Sequence, residues 1–131
     1  PEKSISAAGM ETIILVEDNS QVRTLAKAML SRMGYSVIVA STGQELFASL
    51  SKHKGPADLL LTDVVMPGLN GKQIYTKLQE TYPHIRVLYM SGYAADIIGR
   101  HGVLDEGTRL LNKPFTYEGL ALQIREVLEQ D

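Results

Sequence analysis

A chain of 131 residues has room for one hydrophobic core and not for two. With 44% hydrophobic and 21% charged residues it has the composition of a globular domain, and no apolar run is long enough to cross a bilayer. Thirteen Lys and Arg against fifteen Asp and Glu leave a net charge of −2 without a basic stripe, which argues against direct nucleic-acid binding. The lack of cysteine excludes disulfides, thiolate metal sites and a cysteine nucleophile, and agrees with a cytoplasmic setting, as does the lack of a secretion signal.

Residues 1–10 are small and polar and read as a linker or tail, and a start at Pro1 suggests a piece of a longer chain. Residues 11–131 are expected to form the domain. Its first element is a strand at 12–16, followed by an amphipathic helix with Val22, Leu25, Ala26, Met29, Leu30 and Met33 on one face, Asn19 or Ser20 as cap, and Gly34 at its end. A second strand, 35–40, alternates more than the others, as an edge strand does. Thr42 and Glu45 have the spacing of a capping box ahead of Leu46, Phe47 and Leu50. Strand three, 58–62, is nearly continuous in apolar residues, as a parallel strand covered on both faces should be. After Gly71, Ile74 and Leu78 mark a third helix; strand four spans 86–90. A weaker helix, diluted by Gly99 and Gly102, covers 94–102, strand five covers 108–111, and a last amphipathic helix starts at Thr116. Five strands alternating with five helices predict a doubly wound α/β fold with a parallel sheet.

Such folds bind ligands at the carboxyl ends of their strands. There the chain places Glu17 and Asp18 after strand one, Asp63 after strand three, Ser91 after strand four and Lys113 after strand five. Three carboxylates brought together repel, and a hard divalent cation with oxygen ligands, Mg2+ or Mn2+, relieves the repulsion. With that charge neutralised, Asp63 can act as a nucleophile toward phosphorus, while the Lys113 ammonium and the Ser91 hydroxyl bind the outer phosphoryl oxygens.

The stretches Ile13-Ile14-Leu15-Val16-Glu17-Asp18-Asn19, Leu60-Leu61-Thr62-Asp63-Val64-Val65-Met66-Pro67-Gly68, Met90-Ser91-Gly92 and Asn112-Lys113-Pro114-Phe115 resemble, in order and spacing, the receiver domain of two-component response regulators. The resemblance implies a flavodoxin-like sheet of order 2-1-3-4-5 and a cis peptide between Lys113 and Pro114. It also implies Asp63 as phosphoacceptor, Asp18 and Asp63 as direct ligands of Mg2+, Glu17 as a ligand through water, and the Val65 backbone carbonyl as a further ligand. The expected donor is a phosphohistidine on a histidine kinase or a histidine phosphotransfer domain. The segments Met90-Ser91-Gly92-Tyr93-Ala94 and Lys113-Pro114-Phe115-Thr116 are similar to receivers fused to hybrid sensor kinases. Phosphorylation is then expected to draw in Ser91 and shift the face formed by 94–102 and the last strand.

Two features depart from the family pattern. Leu110 stands where a switching Tyr or Phe is usual, and Val65 and Tyr93 occupy positions that govern access of water to the phosphoryl group, which predicts an altered lifetime. Each of these residues also has a purely structural reading. Glu17 and Asp18 would suit a helix N-terminus, Asp63 a turn, Ser91 a cap and Lys113 the solvent, but their meeting at one sheet edge would then be coincidence. His53, His84 and His101 lack ligand spacing. A dehalogenase-like phosphatase would carry an aspartate at Val65, and a flavodoxin-like nucleotide carrier would not place Glu17 and Asp18 against a phosphate. A degenerate receiver that only binds partners is the remaining alternative.

Overall fold

The computed structural model describes residues 11–53, 55–66, 68–92 and 109–129. In chain order these form β1 (Thr12–Val16), α1 (Ser20–Arg32), β2 (Ser36–Ala40), α2 (Gly43–Leu50), β3 (Leu59–Asp63), α3 (Gly71–Thr81), β4 (Arg86–Ser91), β5 (Leu110–Asn112) and α4 (Tyr117–Leu128). The strands make one sheet of order β2-β1-β3-β4-β5, with every pair parallel. The expected edge position of β2 is therefore observed.

Period-two alternation sends successive strand residues to opposite faces. Ile13, Leu15, Leu59, Leu61, Leu88, Met90 and Leu111 meet Ala26 and Leu30 of α1 and Leu120, Ile124 and Val127 of α4. Ile14, Val16, Ala40 and Leu60 meet Leu46 of α2 and Ile74 and Leu78 of α3 on the other side. Helices on both faces explain why β1 and β3 are apolar at nearly every position.

The helices begin on side-chain caps. Asn19, rather than Ser20, accepts the Val22 N–H at 3.0 Å, Thr42 accepts from Glu45 N–H at 3.0 Å and Thr116 from Gly119 N–H at 2.9 Å. The box expected at Thr42 is only half made, because the Glu45 carboxylate takes the Ser41 N–H, one residue further back, at 2.6 Å. A reciprocal box forms instead between Asn70 and Gln73.

The structure also corrects several boundaries. β3 starts one residue later than expected and runs on to Asp63, and just before it the Asp58 carboxylate accepts the Thr12 N–H at 2.8 Å, tying the two strand starts together. β5 is Leu110–Asn112, and Thr108 lies outside the described residues. Leu25 is 53% exposed: the sheet takes the Ala26–Leu30 line of α1, and Leu25 falls at the rim of the helix–sheet contact. Among the described residues there are four helices, since the one expected at 94–102 lies outside them. None of these helices is long and apolar enough to cross a membrane.

Candidate functional site

Register brings the polar residues to one edge. Val16 pairs with Thr62, Asp63 with Met90 and Ser91 with Asn112, so Glu17, Asp63, Ser91 and Lys113 leave their strands close together at the carboxyl end of the sheet. Glu17 is fully buried, with its N–H bonded to the Ala40 carbonyl at 3.1 Å. Its Oε2 accepts the Asn19 N–H at 3.0 Å and its Oε1 accepts from Lys113 Nζ at 2.9 Å. Asp63 is buried at the end of β3, with Oδ1 2.7 Å from the same Nζ. Asp18 is exposed, and one carboxylate oxygen from each of Glu17, Asp18 and Asp63 lies within 4.8 Å of the others. The Lys113 N–H bonds the carbonyl of Ser91, a buried residue, at 2.8 Å, so the ends of β4 and β5 are joined beside the acids. The Lys113–Pro114 peptide is cis, as the resemblance implied.

Three carboxylates around one ammonium leave negative charge in excess, and the ionisation of the group reflects it. Burial pushes the Asp63 carboxyl from its usual 3.8 up to about 7, and the adjoining Glu17 adds to the rise while Lys113 opposes it. For Glu17, burial alone would raise the value, but hydrogen bonds with Asp63, the Asn19 N–H and Lys113 prevail and hold it below the usual 4.5. Burial disfavours the charged form of Lys113, yet its two carboxylate partners more than compensate and raise it. A proton held by Asp63 against Glu17 is one remedy for the repulsion, and a bound cation is another. Asp63 Oδ1 is buried with the Lys113 ammonium 2.7 Å away, and a carboxylate oxygen paired in this way keeps a second lone pair for a ligand. An all-oxygen acidic set with such an atom fits a hard divalent cation.

The structure thus brings together Glu17, Asp18, Asp63, Ser91 and Lys113. Val65, two residues past the end of β3, is 55% exposed. Leu110 is partly buried and pairs in register with Tyr89, so the aromatic ring in that layer comes from β4. Tyr93 and His101 lie outside the described residues, and His53 and His84 take no part in the acidic cluster.

Two supporting residues were not found in the sequence. A Cβ on Gly71 would collide with the Asp63 carbonyl oxygen and press on Thr62 Cγ2 and Tyr89 Cδ1, each at 3.1 Å; the Gly71 N–H bonds the Val64 carbonyl at 2.9 Å. A glycine in the first turn of a helix, where it weakens the helix, was the available signal. Arg23 Nη1 donates to the Glu17 carbonyl at 2.8 Å, a contact that no spacing rule announces.

Comparison with known proteins agrees with this geometry. Residues 13–125 match the model of the response regulator receiver domain. The chain is 35% identical over 129 residues to the sensor kinase CckA of Brucella abortus, covering 98% of this chain but only 14% of that protein. It is 29% identical over 119 residues to the response regulator receiver protein CpdR of the same organism, covering 91% of this chain and 98% of CpdR. Among solved structures, the receiver domain of the hybrid histidine kinase CckA superposes with a TM-score of 0.73 at 30% identity, covering 90% of this chain and 99% of that one. The chemotaxis protein CheY4 of Vibrio cholerae superposes with a TM-score of 0.75 at 26% identity, covering 90% and 98%. A flavodoxin-like sheet of this order, an acidic trio beside a lysine at its carboxyl edge, and a family match over most of the length have one common explanation: the chain belongs to the response regulator receiver domain family of two-component systems.

Proposed function

We propose that this domain accepts a phosphoryl group on Asp63 from a phosphohistidine of a cytoplasmic histidine kinase or histidine phosphotransfer partner, in a reaction that requires Mg2+ or Mn2+. The observation that carries the reading is Asp63 itself: a buried carboxylate at a strand end, beside Glu17, with its Oδ1 paired to the Lys113 ammonium at 2.7 Å. Receiver domains bind Mg2+ at an acidic pocket and interact with histidine kinases or phosphotransfer proteins, and Glu17, Asp18 and Asp63 form such a pocket here.

In the proposed step an Asp63 carboxylate oxygen supplies an electron pair to phosphorus, and the phosphorus–nitrogen bond to the donor imidazole breaks. The imidazole keeps that bonding pair and takes up a proton. Lys113, 2.7 Å from Asp63, would hold one phosphoryl oxygen, and the hydroxyl of Ser91, the last residue of β4, would hold another. Asp18 and Asp63 directly, Glu17 through water and the Val65 backbone carbonyl would hold the cation, which when bound neutralises charge on the transferring group. The link between Lys113 N–H and the Ser91 carbonyl offers a path from the site to β4 and β5. Their outer face, with the 94–102 segment, is the proposed output surface. The match to a sensor kinase over a small share of its length supports a receiver carried by a hybrid kinase, with 1–10 as linker to 11–131.

Intact mass after incubation with a small acyl-phosphate donor tests this. The expected result is a gain of one phosphoryl group that needs Mg2+, disappears in chelator and is absent in Asp63→Asn. No gain with any donor would favour a receiver that acts only by binding partners.

A further inference from the structure

We infer that Arg23 is a positioning residue for the acidic pair: its guanidinium fixes the peptide joining Glu17 to Asp18 and so sets the direction in which Asp18 presents its carboxylate. The inference rests on reading Glu17, Asp18 and Asp63 as a cation site. Glu17 is anchored on every other side, through its N–H to Ala40, Oε2 to Asn19 and Oε1 to Lys113. Its carbonyl lies past the end of β1, where no strand neighbour can take it, and Arg23 Nη1 takes it at 2.8 Å. That carbonyl and the Asp18 N–H belong to one planar unit, so holding the oxygen holds the plane from which Asp18 projects.

Asp18 needs such support more than its neighbours do. It is exposed, and among the described residues no hydrogen bond or ion pair restrains its side chain. Its aim toward Glu17 and Asp63 therefore depends on the backbone beneath it. Arg23 is well placed to supply this restraint. It sits near the start of α1, with its N–H on the Asn19 carbonyl at 2.9 Å, and side chains on a helix lean toward the N-terminus. The placement needs a reason, because the first turn of α1 carries no acidic residue and a cation here faces the positive end of the helix dipole. The charge-assisted bond to the Glu17 carbonyl, beside three carboxylates, provides it.

The test uses Mn2+ alone as probe, titrated into the unphosphorylated domain and followed by the resonance of free Mn2+, with wild type, Arg23→Ala, Arg23→Lys and Asp18→Asn compared. Loss of a group that orients a ligand from outside the coordination sphere weakens metal binding by about 10- to 100-fold. That loss is expected for Arg23→Ala measured at a temperature where unfolding in chelator shows the variant still folded, since losing the carbonyl bond also lowers stability. Arg23→Lys should recover part of the affinity, since an ammonium can still donate to the carbonyl. Saturating Mn2+ should return the Arg23→Ala phosphorylation rate to near the wild-type value, because only the cation requirement has moved. Equal Mn2+ affinity in wild type and Arg23→Ala, with Asp18→Asn weakened, would overturn the role of Arg23 and leave the cation site standing. No binding by wild type, or binding that Asp18→Asn does not change, would overturn the cation site and this inference with it. If Arg23→Ala fails to fold, the Arg23→Lys comparison decides: unchanged Mn2+ affinity counts against the proposal, and a partial loss in a fully folded variant supports it.

Discussion

Asp63 is buried and crowded by Glu17, and this makes its ionisation a measurable property. Its carboxyl titrates near 7 in the folded chain against 3.8 for the ordinary group. Between those values the folded state binds a proton that the unfolded chain has released, so stability falls as pH rises through this window and the penalty is complete above it. Glu17, held below 4.5, has the opposite sign: its contribution is present above that value and is lost as the pH falls below it. In chelator, the urea midpoint is therefore expected to rise when the pH drops from about 8 to about 5.5. Asp63→Asn should flatten most of that slope, and an equal slope in the variant would show that Asp63 is not the group responsible. Gly71 acts at the same scale. Gly71→Ala forces a methyl into the Asp63 carbonyl and between Thr62 and Tyr89, an overpacking expected to cost about 1–3 kcal/mol. It should also displace the acceptor, so phosphoryl uptake at saturating Mg2+ should fall further than stability alone explains.

At the scale of elements, α1 shows how packing selects from a periodic stripe. Six apolar side chains share the predicted face, but only Ala26 and Leu30 are fully buried, one turn apart along the line that meets Ile13 and Leu15. Leu30→Ala should lower stability by about 2–5 kcal/mol, as a cavity in a closed core does. Leu25→Ala should stay within about 0.5 kcal/mol, as a surface change does. Denaturant unfolding of the two variants checks this, and similar losses would mean that Leu25 is covered in solution. The opposite end of the sheet is secured by α4. Arg125 Nη1 reaches Glu11 Oε2 and the Tyr35 hydroxyl, each at 3.3 Å, tying the last helix to the starts of β1 and β2.

For the whole molecule, parallel strands place every carboxyl end on one edge, so apolar burial on both faces and the concentration of charge at that edge come from the same topology. The core must hold the carboxylates together against their repulsion, and a cation of the proposed kind, binding only the folded state, would offset part of that cost. At about one hundred times its dissociation constant, a single Mg2+ would add about 2.7 kcal/mol. Thermal unfolding near pH 8 should shift upward with Mg2+ in the wild type and much less in Asp18→Asn. A shift of equal size in both would place the stabilising ion elsewhere.

The strands, the helices outside 94–102 and the polar residues at the strand ends could be read from the chain because each rests on local information: apolar runs of strand length, 3.6-residue periodicity and capping residues. The motif resemblance added the sheet order, and the register of β1, β3 and β4 agrees with it. What the chain alone did not show depends on residues far apart in sequence. Glu17, Asp63 and Lys113 are brought into contact only by the assembled sheet, so it was tertiary structure that decided that one ammonium bridges two carboxylates and that burial beside Glu17 raises the Asp63 carboxyl. The close approach at Gly71 and the Arg23 bond to the Glu17 carbonyl belong with these, because they are set by the distance between backbones, and composition and spacing carry no record of that distance.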